Sequence, residues 1–270
     1  MSPDTSASKW TVLVYMAGDT GATFEGTRGD VRLFGNLSGP LKADLEKLAA
    51  AGSTEQVNVC VQYDSFGSQT AYRWVVPPKG AQDACGPEPI GAVNTGEPGS
   101  LTDFIAWAGQ RCPAGRYALV IWGHGTGWSE DQIYARFPAA QTATRDAPAS
   151  RRRLLDRGIF ASSAGKIMQI EDDQVRGLCY DDSSRDFLDN RDLQQALAGG
   201  AQALGRDRID VLGLDACLMC MIEVAYQVRG EVAALAGSET VLPTALWPWE
   251  DLLAALQAQP DMSATDLALR

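Results

Sequence analysis

The feature that most limits the fold of this chain is a set of short, largely apolar strands separated by helical patterns. Residues 10–16, 117–122 and 209–214 are largely apolar runs, and residues 56–63 form a β-rich run. Runs of this kind belong to strands buried on both faces, as in a parallel sheet whose crossovers lay helices over each side. Between them the spacing predicts helices over 41–51, closed by Gly52, over 101–111 behind a Ser100 cap, over 189–198, stopped by Gly199-Gly200, over 218–229 and over 249–257. Residues 71–76 and 231–236 read as further strands. The expected class is α/β, with a mainly parallel central sheet covered on both faces. No internal repeat or low-complexity tract interrupts the pattern.

With 270 residues the chain can bury a large core, and one domain over 1–270 is the expectation. Residues 261–270 begin a capped helix and stop, which suggests that this domain is C-terminally incomplete. The formal net charge of −11 argues against nucleic acid and anionic membrane surfaces as partners. Residues 1–9 lack the basic start and apolar stretch of a signal peptide, so a cytoplasmic location is expected, with secretion left open. One interval departs from the compact pattern. Residues 129–176 show little periodicity, carry Arg151-Arg152-Arg153 among other basic residues, and read as a long insertion.

Two strand ends carry chemistry. The apolar run 118–122 leads into Gly123-His124-Gly125, and His124 is the only histidine of the chain. Glycine on both sides lets the backbone turn sharply and approach a ligand. The run 209–214 leads into Asp215-Ala216-Cys217, just before a helical pattern. A lone histidine is more often structural than catalytic, since catalysis requires a partner and a cleft. A cysteine at a matching strand end supplies the partner. The other cysteines have plainer readings. Cys60 lies in a strand and packs as a small hydrophobe, while Cys85 and Cys112 sit beside prolines in loops where they could pair. Cys217 and Cys220 form a Cys-x-x-Cys, which raises redox and zinc readings. Zinc needs four ligands, and a single histidine with scattered cysteines does not supply them.

In order along the chain stand Trp10-Thr11-Val12-Leu13-Val14-Tyr15-Met16-Ala17-Gly18-Asp19, Asn58-Val59-Cys60-Val61-Gln62-Tyr63-Asp64, Asn94-Thr95-Gly96-Glu97-Pro98, the His124 strand, Tyr180-Asp181-Asp182 and Asp215-Ala216-Cys217. Together these segments resemble the clostripain-like cysteine peptidases, relatives of caspases and gingipains. The resemblance implies a caspase-like three-layer α/β/α sandwich and a catalytic dyad of Cys217 as nucleophile and His124 as general acid and base. It offers the Gly125 and Cys217 amides as the oxyanion hole. It implies cleavage after Arg or Lys, with Asp215 as the acid of the S1 pocket. Ala245 stands where the family usually carries a second acid, which weakens the basic preference.

Family members also mature by clipping between histidine and cysteine. Arg151, Arg152 and Arg153 are therefore the expected processing sites, with the two fragments staying associated. Calcium dependence occurs in the family, and Asp181-Asp182 offers hard oxygen ligands. No local loop has a ligand pattern, however, so no cofactor is expected. The expected partner is a polypeptide with a basic P1 residue. Two other readings stay open: a catalytically silent caspase-like binding module, and a thiol oxidoreductase using Cys217 and Cys220.

Overall fold

The computed structural model describes residues 8–20, 25–28, 31–34, 36–81, 85–125, 127, 177–184, 186–240, 242 and 247–270. A seven-stranded sheet organises them. Five strands form its parallel part: β1 (Ser8–Gly18), β4 (Val57–Ser65), β7 (Ala114–Trp122), β10 (Ile209–Asp215) and β11 (Val232–Gly237). Two antiparallel strands, β5 (Ala71–Val75) and β6 (Glu88–Gly91), complete the β4 edge. The strand order is β11-β10-β7-β1-β4-β5-β6. Two short hairpins stand apart, β2 (Glu25–Arg28) with β3 (Val31–Phe34), and β8 (Leu178–Asp181) with β9 (Asp186–Leu188).

Because successive strand residues point to opposite faces, β1 feeds two cores at once. Leu13, Tyr15 and Ala17 join the core beneath helices α2 (Pro98–Arg111), α3 (Asn190–Ala203) and α4 (Ile222–Val228). Val12, Val14 and Met16 join the core beneath α1 (Ser38–Ala51), α5 (Trp249–Ala258) and α6 (Ala264–Ala268). The result is an α/β/α sandwich with a mostly parallel sheet, as the sequence predicts. Each fully buried Leu, Ile or Phe adds about 1.5–3 kcal/mol of burial. The two cores are therefore the main source of rigidity for anything mounted on the sheet's C-terminal edge.

Several boundaries differ from the sequence pattern for local reasons. Helix α2 starts at Pro98, whose missing N–H is no loss in the first turn, so Ser100 lies inside the helix and is not its cap. Helix α3 runs through Gly199-Gly200 to Ala203. A Cβ at Gly200 would lie 2.5 Å from Ile105 Cδ1, and one at Gly199 would lie 3.1 Å from Thr102 Cγ2. These glycines let α3 pack closely on α2; they do not stop it. The expected helix over 218–229 starts only at Ile222. Leu218 has a φ of 63°, which breaks a right-handed helix, and Met221 is extended. Cys112 does not pair with Cys85: Cys112 is buried against the Cys60 thiol, Cys85 is exposed, and all six cysteines are free. The insertion over 129–176, including Arg151, Arg152 and Arg153, lies outside the described residues, as does Ala245.

Candidate active site

Parallel pairing of β7 with β10 places Trp122 opposite Asp215. His124 and Cys217 each follow two residues beyond that pair, so their two loops leave neighbouring strands on the C-terminal edge of the sheet. Edges of this kind are where open α/β sheets bind ligands. The Gly123 N–H donates to the Asp215 carbonyl at 3.2 Å, continuing the contact past the strands. Gly125 presses against the cysteine turn. A Cβ there would lie 2.7 Å from the Cys217 carbonyl oxygen, 2.5 Å from Met219 Cγ and 2.9 Å from Ala216 Cβ. Gly125 also bridges to Leu178 of β8, and the Gly127 N–H donates to Met219 Sδ at 3.4 Å. The loop carrying half-buried His124 is thus held against the cysteine turn and the β8 hairpin.

Cys217 is half-buried and sits in a turn, not at a helix N-terminus. The Leu218 N–H donates to the Thr240 carbonyl at 3.1 Å and the Cys220 N–H to the Ser238 carbonyl at 3.0 Å, which holds Leu218 in its left-handed conformation. Such backbone costs about 1–3 kcal/mol and clusters at functional sites. The expected helix dipole is absent from the thiol, and a single peptide takes its place. The Leu242 N–H donates to Cys217 Sγ at 3.2 Å, and the sulfur lies 3.6 Å from the Leu242 carbonyl oxygen. Burial raises the Cys217 pKa above the ordinary thiol value, the Leu242 N–H opposes that, and the negative field of Asp215 adds to it. The thiol rests protonated at neutral pH and needs a base to become a nucleophile. Cys220, also half-buried, is likewise raised by burial and by Glu239.

Asp215 is 9 % exposed, and its Oδ2 has no hydrogen-bond partner. Burial pushes its pKa up to about 8, helped by the negative Asp44 and opposed by Lys47. Asp44, on the buried face of α1, accepts from Trp122 Nε1 at 2.9 Å and pairs with Lys47 Nζ at 2.6 Å. Lys47 is therefore already committed, and among the described residues no cation pairs with the buried Asp215 carboxyl. Sequence patterning gave no hint of Asp44, because helical spacing marks it only as one polar residue among apolar neighbours. Leu242 was equally invisible, since its contribution is a backbone amide.

A second cluster stands further along the same edge. Asp19, Asp64 and Asp181 each present a carboxylate oxygen within 4.8 Å of the others, and all three are buried. Burial and Asp19 push Asp64 up to about 7, against a Ser65 N–H, and burial raises Asp181 against hydrogen bonds from Ser184 and Thr95.

The clostripain family's sequence model matches residues 35–144 and 157–270. The chain belongs to the clostripain family. Three solved structures share the fold. One is a secreted C11 cysteine protease from Bacteroides thetaiotaomicron in complex with an irreversible peptide inhibitor, at 21% identity over 97% of this chain and 57% of that one, TM-score 0.61. Another is an inactive zymogen C11 protease from Parabacteroides distasonis, at 20% identity over 93% and 54%, TM-score 0.57. A third, "iotapain", a secreted C11 protease from B. thetaiotaomicron, gives 15% identity over 91% and 56%, TM-score 0.56. This clostripain-family chain spans just over half the length of each of these structures. No curated protein matches it. Among the described residues, no helix is long and apolar enough to cross a membrane.

Proposed function

We propose that this clostripain-family chain is a cysteine endopeptidase that cuts polypeptides after Arg or Lys, with Cys217 as nucleophile and His124 as general acid and base. The observation that supports the reading is the β7–β10 register, which sets side by side the two strands whose C-terminal ends lead to the lone histidine and to the cysteine. His124 takes the Cys217 Sγ proton as the sulfur attacks the scissile carbonyl carbon. The carbonyl π pair moves onto oxygen, and the Gly125 and Cys217 amides stabilise the resulting oxyanion; one such donor is worth about 10²–10³ in rate. When the tetrahedral intermediate collapses, the C–N bond breaks and the imidazolium protonates the leaving amine. Water then cleaves the thioester with His124 as base.

Asp215 is the S1 acid in this reading, because a buried carboxyl without a cation is the complement of a guanidinium. An activating cut in the 129–176 interval belongs to the same proposal. The zymogen among the structural neighbours gives it support.

Cys217→Ala removes the attacking sulfur and little volume, so it abolishes peptide hydrolysis while the fold survives. His124→Ala is nearly as damaging, and the double variant is little worse than either single one, as for residues acting as a unit. Substantial turnover by Cys217→Ala rules out the assignment. Thiol labelling separates the other readings: a silent module needs no fast thiol, and an oxidoreductase couples Cys217 to Cys220.

A further inference from the structure

The Asp215 carboxyl has neighbours that the reaction described above does not use. Side chains alternate along β10, with Leu212 and Leu214 in one core and Val211 in the other, so Asp215 lies on the Val211 face, towards α1. Trp122 stands opposite Asp215 in the strand register and belongs to the same face. Its Nε1 donates to Asp44 Oδ2 at 2.9 Å, and Lys47 Nζ donates to Asp44 Oδ1 at 2.6 Å. Asp44 is fully buried, whereas the Lys47 side chain is 32 % exposed. A single indole therefore joins the Asp215 position to an ion pair on α1.

That ion pair is neutral as a unit, and its i, i+3 spacing lets it form within one helical turn. Asp215 Oδ2 has no hydrogen-bond partner among the described residues, so the carboxyl stays open to a cation from outside. Asp44 and Lys47 act on Asp215 in opposite directions, the first favouring its protonated form and the second its carboxylate. Asp215 in turn acts on the Cys217 thiol. His124 lies two residues past Trp122, and β11 ends beside β10 in the uncharged Gly237. Among the described residues, Lys47 is thus the cation that acts on Asp215, and Asp44 holds it.

We infer that Asp44 is a positioning residue, which keeps Lys47 off Asp215 and leaves that carboxyl open to a basic P1 side chain. The inference rests on the reading of Asp215 as the S1 acid. Lysine carries its charge on a flexible four-carbon stem, so without Asp44 the ammonium turns to Asp215 and competes with the substrate. A cation at contact lowers a carboxyl pKa by about 1–3, and each step of one is a tenfold hold that the substrate must displace.

The test uses the full chain with Asp44→Asn, Lys47→Met and the double variant. Asparagine keeps the volume and an acceptor for Trp122 Nε1, so the fold survives. The first measurement follows the Asp215 carboxyl carbon by NMR, identified by its loss in Asp215→Asn. The wild-type midpoint lies at about 8. Asp44→Asn brings it down by about 1–3 pH units, Lys47→Met raises it, and the double variant titrates above Asp44→Asn. The second measurement is kcat/KM for an Arg substrate divided by that for an uncharged P1 analogue, above the wild-type midpoint. Asp44→Asn lowers this ratio about tenfold, through the KM of the Arg substrate, and adding Lys47→Met restores most of it. A structural defect would depress both substrates and would survive the second substitution. An unchanged midpoint in Asp44→Asn overturns the positioning role, as does a fall in the ratio that Lys47→Met leaves in place. A wild type that cuts equally well after Arg and after the uncharged analogue overturns the S1 reading instead, and the titration by itself then decides whether Asp44 keeps Lys47 from Asp215.

Discussion

A single carboxyl, Asp215, carries the most information per atom in this molecule. It is buried, one oxygen lacks a partner, and its pKa lies at about 8 instead of near 4. If it is the S1 acid, it holds a proton at pH 6.5 and attracts a basic P1 residue only weakly. As pH rises through about 8 the carboxylate forms and the cation gains its partner. The ratio of kcat/KM for an Arg substrate to that for an uncharged P1 analogue should therefore climb across this range and level off above it. Taking the ratio cancels the titration of Cys217, which affects both substrates alike. Asp215→Asn should flatten the curve and weaken Arg cleavage by about 2–5 kcal/mol. A flat wild-type ratio would remove Asp215 from specificity. The linked effect on folding has the opposite sign. The folded carboxyl keeps its proton up to about pH 8 while the unfolded one loses it near 4, so this group lowers stability as pH rises between those values. The family resemblance singles out the residue as a candidate, by its place two positions before Cys217. That no described cation pairs with it is not visible in the sequence, since this depends on Lys47 being taken by Asp44 of the same helix α1.

At the scale of elements, strand identity was legible and the joins between elements were not. The largely apolar runs of β1, β7 and β10 are best satisfied by burial on both faces, and β4 is rich in β-formers, so all four read directly from the chain. The glycine pair in α3 reads as a stop in the sequence because a helix-breaking residue and a close-packing residue look the same in one dimension. Only the neighbouring α2, with Ile105 and Thr102 at contact, distinguishes them. The turn after Cys217 reads as helix from residue 218 in the sequence, because a left-handed leucine has no sequence signature. Gly125 tests how much the joins matter. A methyl there meets the Cys217 carbonyl oxygen at 2.7 Å, a backbone atom that cannot rotate away. Gly125→Ala should push the histidine loop off the cysteine turn by a fraction of an ångström to an ångström. Misplacement on that scale costs about 10²-fold in rate. We expect kcat/KM to fall by about that factor while most of the thermal stability remains. Wild-type turnover in Gly125→Ala would show that the two loops need no such close approach.

Across the whole molecule, the candidate dyad is divided by the 129–176 interval, with His124 on one side and Cys217 on the other. Residues on both sides are tied into one sheet. β7 pairs with β10 from Val211↔Ala118 to Asp215↔Trp122, and α2, before the interval, packs on α3, after it. A cut at Arg151, Arg152 or Arg153 would break one covalent bond and none of these contacts. If the chain processes itself, freshly purified wild type should convert slowly to two fragments on a denaturing gel, while Cys217→Ala stays whole. The fragments should still elute together at the mass of the intact chain, because separating them means exposing the apolar faces of β7 and β10. That costs far more than the few kcal/mol that a broken loop gains in chain entropy. Replacing all three arginines with alanine should slow or relocate the cut, and it should delay the rise of activity by the same factor if the cut is what activates. A wild type that remains a single chain and is fully active would remove processing from the mechanism while leaving the register of His124 and Cys217, and the chemistry it permits, untouched.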